Sequence, residues 1–138
     1  EAYTTQTAQE LSVAQENEDG NEVSLKQEDI SRKQEDAWIA KATALIELHL
    51  SDSEFSVENF SEEMNLSRSA LYKKLMVATG KSPLEFMRAI RLKHGLAYLQ
   101  NGDLSISEIA YNIGLSPKQF AKFFKEEYGC LPSQYKKK

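Results

Sequence analysis

Two short stretches of this sequence gather side chains that donate strong hydrogen bonds. Ser67, Arg68, Ser69, Tyr72 and Lys73 form the first; Ser116, Lys118, Gln119, Lys122 and Lys125 form the second. On the free face of a helix, Arg and Lys suit the N7 and O6 acceptors of guanine, Gln suits adenine, and Ser adapts to either. Arg68, Ser69, Tyr72, Lys118 and Gln119 are therefore candidates for reading base edges in a major groove. Ser67, Lys73, Ser116, Lys122 and Lys125 are candidates for holding phosphates, contacts that set register and carry no sequence information. The blander reading of the same residues is an ordinary solvated helix face. Against it stands the recurrence of Lys73 and Lys122 at equivalent places in an internal repeat. Other chemistry is not legible: there is no nucleophile–base set, no glycine-rich phosphate loop and no Cys/His cluster with metal-ligand spacing. No catalytic residue, metal or cofactor is expected. His49 and His94 read as structural, and the single Cys130 cannot form an internal disulfide.

The elements that must position these residues follow from the repeat. A shift of 49 residues lays Phe55–Phe86 over Leu104–Tyr135 without a gap. Identical pairs include Leu66/Leu115, Ser67/Ser116, Lys73/Lys122, Gly80/Gly129 and Pro83/Pro132, and apolar pairs include Phe60/Ile109, Met64/Ile113, Leu71/Phe120 and Leu75/Phe124. Each copy has the order of a helix-turn-helix. In the second, Ser105 caps a short helix carrying Ile106, Ile109, Ala110 and Ile113. Ala110 is small where two helices cross, Gly114 supplies the tight turn, Leu115 plugs it, and Ser116-Pro117 starts a second helix with Phe120, Phe123 and Phe124 inward. The first copy puts Ser61, Asn65 and Leu66 in the same roles; Asn is the next-best residue for a left-handed turn. Two copies are too few for a solenoid.

Between them, Ser82-Pro83-Leu84-Glu85 opens a helix to about Asn101, with Phe86, Met87, Ile90, Leu92, Leu96 and Leu99 apolar on more than one side, as a helix wedged between two bundles must be. Arg91 in it is expected to brace the two copies. Trp38, Ile39, Ala42, Leu45, Ile46 and His49 mark an earlier amphipathic helix that stops near Ser51-Asp52-Ser53. No period-two alternation is long enough for a strand, so the fold class is all-α: two helix-turn-helix subdomains joined by a long linker helix, about seven helices. The boundaries are a first unit over 38–82, the linker over 83–101 and a second unit over 102–138.

The chain has 138 residues and a net charge of −4, which conceals a split. Residues 1–37 carry ten acidic residues against three basic ones, whereas 38–138 carry fourteen basic and eleven acidic. The acidic stretch has few large apolar side chains, and such segments cannot offset their ordering entropy. It is expected to be a flexible lead-in. No apolar run approaches the ~18 residues of a membrane span, so a soluble, cytoplasmic protein without membrane contact is expected. The chain opens on Glu1 and not Met, so the expectation is a piece of a longer protein.

Residues 38–138 resemble the DNA-binding domain of the AraC/XylS family of bacterial transcription regulators. The stretches that carry the resemblance are FSVENFSEEMNLSRSALYKKLMVATGKSP, EFMRAIRLKHGLAYL and ISEIAYNIGLSPKQFAKFFKEEYGCLPSQY. The resemblance implies seven helices, double-stranded DNA bound through two adjacent major grooves, activation of transcription, and RNA polymerase as a partner. The wording of the first unit is similar to output domains of hybrid two-component regulators, which share a chain with a receiver and often control carbohydrate-utilisation genes. On that likeness the acidic lead-in joins an upstream receiver domain, and the parent chain carries histidine kinase activity; this fragment is not an enzyme. The runner-up is a helical adaptor that uses the same units for protein contact. Two departures from the family pattern bear on the site. Gly114 to Phe120 is one residue short, which leaves open which of Pro117, Lys118 and Gln119 faces the bases. Gly95 stands where the linker usually has alanine, costing about 0.5–1 kcal/mol of helix stability unless close packing requires it.

Overall fold

The computed structural model describes residues 20–137. Seven helices and no strand occur among them: α1 Gly20–Leu48, α2 Val57–Glu63, α3 Arg68–Thr79, α4 Pro83–Asn101, α5 Ile106–Asn112, α6 Pro117–Tyr128 and α7 Pro132–Lys137. Serine starts five of them. The hydroxyls of Ser56, Ser67, Ser82, Ser105 and Ser116 each accept from the backbone N–H three residues on, satisfying a donor that the helix itself leaves unpaired. At Ser56, Ser82, Ser105 and Ser116 the third residue (Asn59, Glu85, Glu108 and Gln119) returns a bond to the cap's own N–H, completing a capping box. Helices α3, α4 and α6 stop on Gly80, Gly102 and Gly129.

Helix α1 starts at Gly20, inside the lead-in that composition predicts to be flexible. Glu, Gln and Lys are abundant from Glu22 to Asp36, and their high helix propensity favours a helix there. Residues 1–19 of that lead-in lie outside the described residues. The chain divides inside α1 into two compact units, up to Lys41 and from Ala42 onward, and the second holds both repeats. Among the described residues, no helix is long and apolar enough to cross a membrane.

In the unit from Ala42 onward, each repeat has its own core, and α4 serves both. Phe60, Leu71 and Leu75 are fully buried in the first repeat, and the Phe60 ring stacks 6.0 Å from Phe86 of α4. In the second, Ile109, Ala110, Ile113, Phe120 and Phe124 form one cluster with Leu92 and Leu99 of α4. Burying side chains of this size stabilises by about 1.5–3 kcal/mol each, so the inward phase of α3 and α6 is strongly set. Gly95 belongs to this packing. A Cβ there would stand 2.9 Å from Phe120 Cε1 and 3.1 Å from Ile113 Cδ1, which is why the helix tolerates glycine at its centre.

Candidate nucleic-acid interface

The two turns place α3 and α6 in the same way. Asn65 takes φ 60 and Gly114 φ 78, and the residue after each donates back across the turn, Leu66 to the Ser61 carbonyl at 3.0 Å and Leu115 to the Ala110 carbonyl at 2.9 Å. Ala110 and Ser61 are buried where the paired helices cross, the Ser61 hydroxyl donating to the Glu58 carbonyl at 2.8 Å. The helix start left open by the short spacing after Gly114 is resolved: α6 begins at Pro117 under a Ser116 cap, in the register of α3 under Ser67. Pro117 is half-buried, while Lys118 and Gln119 are exposed.

All ten candidate residues are solvent-exposed. Ser69, Tyr72 and Lys73 lie on the free side of α3, away from buried Leu71 and Leu75, with Ser67 at its cap and Arg68 exposed at its first position; Lys118, Gln119, Lys122 and Lys125 lie on the free side of α6, away from Phe120 and Phe124, with Ser116 at its cap. Several of them have engagements within the protein, the Ser116 cap being the one expected from its place before Pro117. Ser67 and Ser116 use their hydroxyls as caps, which leaves each with an O–H to donate. Gln119 is the larger change. Its side-chain oxygen accepts from the Ser116 N–H at 3.0 Å, which fixes the amide at the helix start and leaves its NH₂ group to donate. Arg68 faces Glu58 at 3.8 Å with both side chains about two-thirds exposed, a contact of the weak, solvent-screened kind.

Phe123, expected inward with its neighbours, is half-buried; Arg88 of α4 covers its face at 3.9 Å, and the Lys122 ammonium lies 5.8 Å from the ring centre. Behind this surface, Arg91 is 5 % exposed and, as expected, braces the first unit against the second, through the loop after α1. It donates to the Leu50 and Asp52 carbonyls after α1 and, at 2.8 Å, to the Ile113 carbonyl beside the second turn. Burial lowers its pKa and the nearby Asp52 charge opposes the shift; the guanidinium still stays charged. His94 and His49 have structural contacts. His94 Nε2 lies 2.9 Å from Glu47 Oε2, and the His49 ring stacks 4.1 Å from Phe55.

The spacing of polar residues missed Leu84 and Arg88. Leu84 is 54 % exposed at the second position of α4. It lines a cleft with Arg68, Ser69 and Tyr72, and it also lines a second cleft with Arg88, Gln119 and Phe123. An exposed leucine thus adjoins residues of both candidate surfaces, and no periodicity signals it because it lies off the apolar stripe of its helix.

Comparison with known proteins agrees with this architecture. A family profile described as a helix-turn-helix domain matches residues 60–138. Over 98 residues the chain is 37 % identical to histidine kinase P4 of Formosa agariphila, a match that takes in 70 % of this chain and 7 % of that protein's length. It is similar to the C-terminal domain of AraT, a response regulator from Geobacillus stearothermophilus, with a TM-score of 0.66 at 28 % identity over 72 % of this chain and 84 % of that one. It is also similar to the DNA-binding domain of AdpA, a global transcriptional factor solved in complex with a target DNA. That TM-score is 0.66 at 26 % identity, over 71 % of this chain and 88 % of that one.

Proposed function

This chain belongs to the AraC-type helix-turn-helix family of transcription regulators, as a DNA-binding domain, and on that premise we propose that α3 and α6 enter two adjacent major grooves of one duplex. The observation that carries this reading is the pair of equivalent capped helices, each with an exposed cationic and hydroxyl face, on either side of one rigid helix. A connection through α4 and Arg91 holds both at one spacing, and a spacing near ~34 Å matches successive grooves on one face of DNA. In this reading Arg68, Ser69, Tyr72 and Lys118 address base edges, with Gln119 beside them. Ser67, Lys73, Ser116, Lys122 and Lys125 hold phosphates, and the acidic lead-in accounts for a whole-chain charge that is negative despite a basic recognition surface.

The wider context belongs to the same proposal. The likeness to a histidine kinase and to a response regulator's C-terminal domain supports an output domain of a longer two-component protein, joined to a receiver, acting in the cytoplasm on genes such as those for carbohydrate use and in contact with RNA polymerase.

Selection of bound duplexes from a random pool at about 150 mM salt, where non-specific binding is weak, tests the reading. Enrichment of two short motifs about one helical turn apart is the expected result. A single motif would reduce one repeat to a phosphate clamp. No enrichment would overturn sequence-specific binding by this chain.

A further inference from the structure

The two candidate surfaces differ in what they can offer a base. At the third position of α3 stands Ala70, which has no side-chain acceptor to return to its cap; at the same position of α6 stands Gln119, whose oxygen is bonded to the Ser116 N–H while the Ser116 hydroxyl accepts from the Gln119 N–H at 3.1 Å. Closing this box leaves the Gln119 amide with its NH₂ group. Beside it at the start of the helix are the Ser116 hydroxyl, with an O–H to donate, and Lys118; Lys122 and Lys125 follow on the same face, and the one carboxylate there, Glu126, stands two turns beyond Gln119. The first surface is of another kind, because Ser69 and Tyr72 can each donate and accept.

Resting on the DNA-binding reading above, we infer that the start of α6 reads its half-site through donors, with Gln119 contributing its NH₂ group while its oxygen is engaged in the cap. The major-groove edges that satisfy such a surface are those rich in acceptors: guanine, with N7 and O6, before all others. Adenine requires an acceptor for its N6 amino group as well as a donor for N7, and the Gln119 oxygen that would supply it is held on the Ser116 N–H. Cytosine offers a donor and is rejected. The two half-sites therefore differ in kind. The first tolerates edges that donate, and the second selects purine edges that accept, with no preference for adenine.

The experiment starts from duplexes selected by the whole 138-residue chain. Affinities are then compared for all four base pairs at each position of the second half-site, with the natural chain, Gln119→Glu and Gln119→Ala. Glutamate retains the cap, as Glu85 and Glu108 do in their own boxes, but removes the donor; the fold is thus preserved while the reading group changes. The expected result is guanine favoured over adenine and cytosine at one position by about tenfold. Gln119→Glu should lose that preference and favour cytosine there, with its Tm retained. An adenine preference in the natural chain that both variants lose would overturn the inference, since the amide would then have left its cap to read two points. Base preferences unchanged in all three proteins would also overturn it, making Gln119 a cap and nothing more. A pool that yields no selected duplex overturns the DNA-binding reading together with this inference, and so is distinct from both.

Discussion

The guanidinium of Arg91 occupies the space that a side chain at Gly114 would need. A Cβ built on Gly114 falls on Arg91 Nη1 and lies 2.5 Å from the Leu50 carbonyl oxygen, which Arg91 itself binds. The turn of the second repeat is thus the seat of the cation that ties the linker helix to the loop after α1. Asn65, in the equivalent turn of the first repeat, has positive φ but is exposed, whereas Gly114 is buried. Gly114 answers two demands at once: a left-handed backbone and close approach of a charged group.

Substitution at the two turns should separate these demands. Asn65→Ala meets only the left-handed strain and should cost ~0.5–1 kcal/mol. Gly114→Ala meets that strain and also displaces Arg91 from the carbonyls it binds, so a loss of ~2–4 kcal/mol is expected. Urea unfolding of the two variants checks this; equal losses would mean that Arg91 moves aside without consequence.

Gly95→Ala sets helix propensity against packing. The substitution gains about 0.5–1 kcal/mol in α4, but the new methyl group stands 2.9 Å from the buried Phe120 ring. Overpacking of a filled core costs ~1–3 kcal/mol. A net fall in Tm is expected, relieved when Gly95→Ala is combined with Phe120→Leu.

Acid should weaken the helix starts of α4 and α5 before that of α6. Bonds from the backbone N–H and the hydroxyl of Ser82 hold Glu85 below its ordinary pKa of 4.5, and Ser105 does the same for Glu108. Because the folded state favours the carboxylate, the stabilisation is present above the ordinary value and is lost as pH falls through the lower folded one. Glu85→Gln with Glu108→Gln should flatten the dependence of Tm on pH between about pH 5 and about pH 3, since the amide still caps, as Gln119 does in α6.

Base and phosphate roles are separable on DNA. Arg68→Ala should cost ~1–3 kcal/mol and relax preference at one base position. Lys73→Ala and Lys122→Ala should weaken all sequences alike, each lowering the salt slope by ~1. Equal losses for Arg68→Ala on specific and random duplexes would remove Arg68 from the base-reading set. Glu58→Ala should strengthen binding slightly, because Arg68 then has no carboxylate to leave.

The elements follow from local signals along the chain. Serine caps, glycine stops and the 49-residue repeat are local signals, each resting on hydrogen-bond geometry within a turn or two, so the two turns and the inward faces of α3 and α6 could be read without coordinates. Tertiary structure decided how residues far apart in the chain share space. The three carbonyls around Arg91 come from Leu50, Asp52 and Ile113, and the reason for Gly95 lies on Phe120, 25 positions away. The half-burial of Phe123 depends on Arg88 reaching over from α4, and Leu84 gains its place beside both surfaces only when α4 is packed between the repeats. Gln119 is the instructive middle case. Its capping bond is as local as any other, yet a glutamine on a basic face reads equally well as a base contact. Composition cannot say which hydrogen bond an amide makes, because that is set by distance and direction.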